Sequence, residues 1–191
     1  MSSLLPAQRP TLGRELARAT VYRHLGERAD GEVTLLGVRG YYLNSLGSPG
    51  RNDRGIYDDA FFILAPHSFA AFNGNTDPTG TRKGTGTGSK KGMAVLNPGS
   101  WRYKPGMHRG KYKAFRQADE VTVTRDGDPP YPATGWFGIN IHRGGIVTTS
   151  SAGCQTLPPD QWESFRSILN QELAHEGQES FNYLLVEGAD S

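Results

Sequence analysis

The chain has one cysteine, Cys154, in the segment Ser150-Ser151-Ala152-Gly153-Cys154-Gln155-Thr156, twelve residues after His142. A thiol attacks as thiolate, so it needs a base or a positive field beside it, and an imidazole is the usual supplier. His142 ends the run Trp136-Phe137-Gly138-Ile139-Asn140-Ile141-His142. A period of two sets Phe137, Ile139 and Ile141 on one face and Trp136, Gly138, Asn140 and His142 on the other. The first face belongs in a core, and His142 then projects from the polar face just before Arg143-Gly144-Gly145 turns the chain away. The stretch from Thr148 to Gly153 is made of small residues that let a ligand approach the backbone and leave amides free as donors, the surface an oxyanion hole needs. If His142 needs a third group to fix its tautomer, Asn140, Ser150 or a backbone carbonyl can serve.

Other chemistries are weaker on these residues. A lone cysteine is often a small buried hydrophobe, and His142 can be a satisfied structural histidine. Zinc is the rival for a hydrolase, but His24, His67, His108 and His175 are scattered without a helical ligand spacing, so neither metal nor cofactor is expected. The basic run Arg102, Lys104, His108, Arg109, Lys111, Lys113 and Arg116, interleaved with Tyr103 and Tyr112, reads as a solvated face before it reads as a grip on an anionic polymer. Trp101 and Trp136 are candidates to line a groove, or else core residues.

The elements that must position these residues are mostly strands. At 191 residues the chain fits one domain with a real core, and 25 glycines and 12 prolines suit a turn-rich β-containing globule. Residues 11–25 predict a short helix with Leu12, Leu16, Ala19 and Leu25 near helical spacing. Strands are expected over 33–43, 60–65, 69–72, 93–96, 100–103, 120–124 and 181–186. Pro158-Pro159-Asp160 opens a second helix, and Trp162, Phe165, Leu169 and Leu173 mark its buried face. Residues 1–10 read as a flexible start and 79–92, rich in Gly, Thr and Lys, as a mobile loop. A net charge of +2 is too small to argue for nucleic acid. No stretch could span a bilayer, and the start lacks a charged then apolar leader, so the expectation is a monomer made in the cytoplasm.

The stretch from Gly135 to Thr156, with Ser151-Ala152-Gly153-Cys154 matching Ser-x-Gly-Cys downstream of a strand histidine, resembles the catalytic motif of the L,D-transpeptidase (YkuD-like) family. The resemblance implies a mostly β α+β domain, a β-sandwich or barrel-like core with an N-terminal helix and a helix after the cysteine. It implies Cys154 as nucleophile on a stem-peptide carbonyl of peptidoglycan at an L-centre followed by a D-residue, His142 as base and then acid, Ser151 and Gly153 as turn-formers, and the amides of Gly153 and Cys154 as oxyanion donors. Ser150 and Ala152 complete that loop; Asn140, Arg143, Thr156 and Trp136 are the substrate-side candidates. The family usually has arginine where this chain has Thr156, often glycine where it has Arg143, and can have histidine where it has Ala152. Arg143 is then the candidate replacement for the missing guanidinium. With no leader, hydrolysis by a phage-type lytic enzyme, acting on the wall after release or delivery, is expected ahead of cross-linking; a non-catalytic wall-binding or phage structural module is the remaining alternative.

Overall fold

A computed structural model describes residues 4–29 and 31–188; residues 1–3 of the expected flexible start lie outside them. Strand outweighs helix, 34% to 19%, in an α+β arrangement with a nearly closed, barrel-like sheet, as the motif led us to expect. In chain order the elements are α1 (Arg14–Leu25), β1 (Thr34–Arg39), β2 (Asp59–Leu64), β3 (Phe69–Gly74), β4 (Ala94–Leu96), β5 (Gly99–His108), β6 (Tyr112–Gln117), β7 (Val121–Arg125), β8 (Tyr131–Gly135), β9 (Ile141–Arg143), β10 (Gln155–Leu157), α2 (Pro159–His175) and β11 (Phe181–Glu187). Eight strands curl in the order β10-β9-β6-β5-β11-β1-β2-β3, and β4-β7-β8 form a second sheet. The two edges of the large sheet meet where Asn75 and Thr156 exchange backbone hydrogen bonds, 2.8 Å each way.

The central strands are buried on both faces, so they read as continuous apolar runs. Alternate residues divide between two cores. Leu35, Phe61, Ile63, Tyr183 and Leu185 face inward, with the α2 face of Trp162, Phe165, Leu169 and Leu173 and with Val121 and Val123 of the small sheet. Leu36, Val38, Phe62, Leu64, Leu184 and Val186 face outward against α1. Phe165 touches the rings of Phe61, Phe72, Phe115 and Trp162, so its truncation to alanine costs about 3–5 kcal/mol.

Helix α1 departs from expectation in its face. Ala17, Thr20, Val21 and Leu25 are buried, whereas Leu16 and Ala19 are exposed. Arg14 donates to the carbonyls of Ala65 and Pro66 (2.9 and 2.7 Å), which sets the helix rotation, and the small Ala17 and Thr20 let it lie close to the sheet. The 79–92 segment has no strand but is tied down: Gly84 N–H donates to Asp126 C=O (3.0 Å), and Arg54 holds the Asp126 carboxylate at 2.7 and 2.8 Å. No helix among the described residues is long and apolar enough to cross a membrane.

Candidate active site

Strands β9 and β10 run parallel with His142 opposite Thr156, which brings the strand histidine and the cysteine segment side by side. The strand itself begins only at Ile141. Before it the chain is irregular, with Gly138 at φ 70°, and the Gln117 Oε1 accepts the N–H groups of Phe137 and Ile139 (3.2 and 2.8 Å) in place of a ladder. The alternation holds only in part: Phe137, Ile139 and Ile141 pack on the core and Trp136 and Gly138 are exposed, but Asn140 and His142 of the polar face are buried as well. The cysteine loop is stapled by Ser151, whose Oγ donates to the Cys154 carbonyl (2.6 Å) and accepts from Gly153 N–H (3.0 Å). Thr79 pins it from outside, bonding Ser151 in both directions at 2.8 Å. Gly153 has φ of 141° and its absent Cβ would meet the Ala94 carbonyl at 2.5 Å, so only glycine fits.

A third group joins from the β5–β6 hairpin. Its turn has positive φ at both central residues, Arg109 (50°) and Gly110 (68°), and is closed by Lys111 N–H to His108 C=O (2.9 Å). That turn sets His108 opposite Tyr112 at the hairpin end. The His108 and His142 rings have centroids 4.3 Å apart, and a ring nitrogen of each lies within 4.8 Å of the other and of the Cys154 Sγ. The sulfur itself lies 3.5 Å from the Asn140 N–H, a donor to it, and 3.5 Å from the Gly138 carbonyl.

The two imidazoles are held in opposite senses. A carbonyl only accepts, so the 2.8 Å contact between His142 Nδ1 and Arg143 C=O requires a proton on Nδ1 and leaves Nε2 as a bare lone pair. An amide nitrogen only donates, so the 2.9 Å contact from Asn140 Nδ2 to His108 Nδ1 makes Nδ1 the acceptor and puts the proton on Nε2. One ring therefore offers a base and the other an N–H donor. Tyr112 Oη, 3.3 Å from His142 Nδ1, shares the first contact.

Burial keeps this cluster neutral. Desolvation pushes His142 down to about 4, with His108 and Arg109 adding repulsion and the Arg143 carbonyl opposing. His108 is lowered by burial and by Arg109. Burial pushes the Cys154 thiol up, against the Asn140 N–H and the Arg109 charge. The resting state is thus thiol beside neutral imidazole, not thiolate beside imidazolium.

Cys154 stands where two clefts meet. One, of about 420 Å³, is lined by Met107, Arg116, Phe137 and Gly138; the other, of about 370 Å³, by Thr79, His142, Thr148 and Ser150. His108, Arg109, Ala152 and Cys154 border both. Such an arrangement can hold a substrate across the sulfur, with one part in an apolar and cationic cleft and the other among hydroxyls.

Several expected residues have other places. Gly153 N–H is engaged by Ser151, so the Cys154 N–H, without a partner among the described residues, is the backbone donor left for an oxyanion. Arg143 turns its exposed side chain into a separate cleft with Lys113, Trp162 and Arg166; the guanidinium groups beside Cys154 are Arg109 and Arg116. Thr156 is fully buried at the barrel seam, where an arginine has no room. Asn140 orients His108 rather than His142, and Ser150, with φ of 56°, lines the second cleft. Trp136 is 62% exposed and lines neither of the two clefts, whereas Trp101 packs on the core with its indole N–H on the Asn97 carbonyl. His108 and Arg109 were hidden in the basic run, and the signal that could have found them is Gly110, which marks a hairpin end inside it. Comparisons with family models, curated proteins and solved structures each find no match for this chain.

Proposed function

We propose that the protein is a cysteine-dependent acyl-transfer enzyme that hydrolyses an L–D peptide bond in peptidoglycan stem peptides. The observation that carries this reading is the convergence of the Cys154 thiol with one ring nitrogen each of His142 and His108, all within 4.8 Å of one another, where two clefts meet. His142 Nε2 takes the thiol proton as sulfur attacks the carbonyl carbon. The oxyanion accepts from Cys154 N–H and from His108 Nε2–H, donors worth a few kcal/mol each in a dry site. The C–N bond breaks, and His142 returns the proton to the leaving amine. Water then attacks the thioester, His142 takes its proton, and the thiol is restored as the acid leaves.

The substrate class rests on the motif resemblance together with Arg109 and Arg116, which suit the carboxylates of a stem peptide. The second cleft gives an amine acceptor somewhere to bind, which keeps transpeptidation as the second reading. Purified protein incubated with sacculi, with soluble products identified by mass spectrometry, tests both. Shortened stems with wild-type protein and none with Cys154→Ala are expected; an added D-amino acid that appears in the product would mark exchange in place of hydrolysis. Unchanged sacculi beside an active control hydrolase would sink the proposal.

A further inference from the structure

We propose that His108, His142 and Cys154 form a site for one borderline-soft divalent cation, zinc foremost, whose binding reversibly silences the thiol. The three donor atoms already lie within 4.8 Å of one another, and both rings are almost fully buried. Zinc holds sulfur at about 2.3 Å and nitrogen at about 2.0–2.1 Å, which sets ligand atoms roughly 3.3–3.6 Å apart in a tetrahedron. Closing the cluster therefore takes about 1 Å of movement, within reach of side-chain rotation of Cys154 and His108.

The outer contacts suit the ion as well. Metal-bound histidines commonly donate the other ring N–H to a carbonyl, and His142 does so to Arg143 at 2.8 Å. The Asn140 amide, turned over, would accept from His108 Nδ1 in the same way and leave Nε2 for the metal. The two clefts leave a fourth position open to water. One thiolate and two imidazoles select zinc or copper over magnesium or calcium. Arg109 opposes any cation here, so the S–H bond must be exchanged for a sulfur–metal bond, with the proton released to solvent; nothing is oxidised or reduced. The site depends on the reading of Cys154 as nucleophile only for its consequence, loss of turnover.

The test uses the full chain, stripped with a chelator and titrated with Co²⁺, then Zn²⁺. A near-ultraviolet thiolate-to-cobalt band that saturates at a single equivalent and is displaced by zinc is expected. The band should vanish in Cys154→Ser, weaken by more than about tenfold in apparent affinity in His108→Ala, and persist in His175→Ala, a control for the separate His67–His175 pair. His108→Gln replaces the alanine variant if circular dichroism shows that the latter does not fold. In wild type, zinc should also protect Cys154 from iodoacetamide until chelator is added. Absence of the band, its survival unchanged without His108, or no protection would overturn the site. Metal binding by a chain that never cleaves stems would refute the proposed activity and leave the site standing, whereas cleavage unaffected by saturating zinc would refute the silencing.

Discussion

At Cys154 and His142 the same burial acts with opposite signs, raising the acid and lowering the base. A preformed ion pair needs the reverse ordering, so proton transfer in the proposed reaction accompanies attack, by general-base catalysis. This gives a pH signature. A ring held near 4 stays neutral, and able to accept, well below the pH at which an ordinary histidine is protonated. The acid limb of kcat/KM on a soluble stem peptide should accordingly fall near pH 4 and not near 6.5. A midpoint at 6–7 would mean that another group supplies the base. By the same reasoning Cys154 should react with iodoacetamide at pH 7 more slowly than a free peptide thiol, and the rate should climb through alkaline pH. His108→Ala removes the proposed oxyanion donor and should lower kcat by about 10²–10³ with little change in KM.

The loop between β9 and β10 is where local sequence and distant contacts meet. Its small residues were legible as a close-approach surface, and the parallel juxtaposition of His142 with the cysteine segment follows from two short strands joined by a glycine-rich turn. Most strands and both helices were legible too, because central strands read as apolar runs and α2 carries a clean 3.6-residue stripe. The face of α1 was not, because it is chosen by Arg14 reaching two carbonyls outside the helix. Strand β6 and His108 were hidden in charge, since the exposed Lys113 and Arg116 flank two consecutive buried residues, Ala114 and Phe115, with no period of two to mark a strand. Nor could spacing reveal that Thr156 closes the barrel by pairing with Asn75, since the two are 81 residues apart. That role makes a prediction about the element. Thr156→Arg, which introduces the residue usual in the family that the motif resembles, would bury an unpaired guanidinium at the seam and should unfold the protein or cost more than about 3 kcal/mol in urea denaturation, whereas Thr156→Val should fold and keep the activity. A stable, more active arginine variant would show that the seam has room. Gly153→Ala should abolish turnover as well as lose about 1–3 kcal/mol, because strain at that φ and the Ala94 carbonyl together displace the thiol.

Across the whole molecule, one buried polar network ties the seam to the nucleophile loop. Arg39 donates to Thr76 Oγ1 (2.9 Å) and to the Leu96 carbonyl (2.9 Å), joining the large sheet to the small one. The Thr76 carbonyl accepts from Gln155 Nε2 (3.3 Å), which also reaches Gly153 C=O (3.2 Å), while Gln155 Oε1 accepts from Tyr183 Oη (2.8 Å). The network carries an electrostatic load beside it. Asp58 is fully buried with Oδ1 unpartnered, and burial, then Asp77 and Asp53, push it up to about 7. A carboxyl raised this far favours the folded state most below its unfolded value of about 4, and that contribution is lost as pH rises through 7. His142 works in the opposite direction, destabilising the fold as pH falls from about 6.5 towards 4. Asp58→Asn separates the two, because His142 is common to both proteins and the new side chain can still accept the Asp53 N–H that Oδ2 now holds at 2.8 Å. Its stability advantage should therefore be largest at pH 8 and shrink by about 2–3 kcal/mol at pH 5, a change of roughly 5–10 °C in the difference between melting temperatures for a chain of this size. Calorimetry at the two pH values reads this directly. An advantage that stays constant from pH 5 to pH 8 would mean that Asp58 ionises normally in the folded protein and that the cost of closing the barrel lies elsewhere in the network.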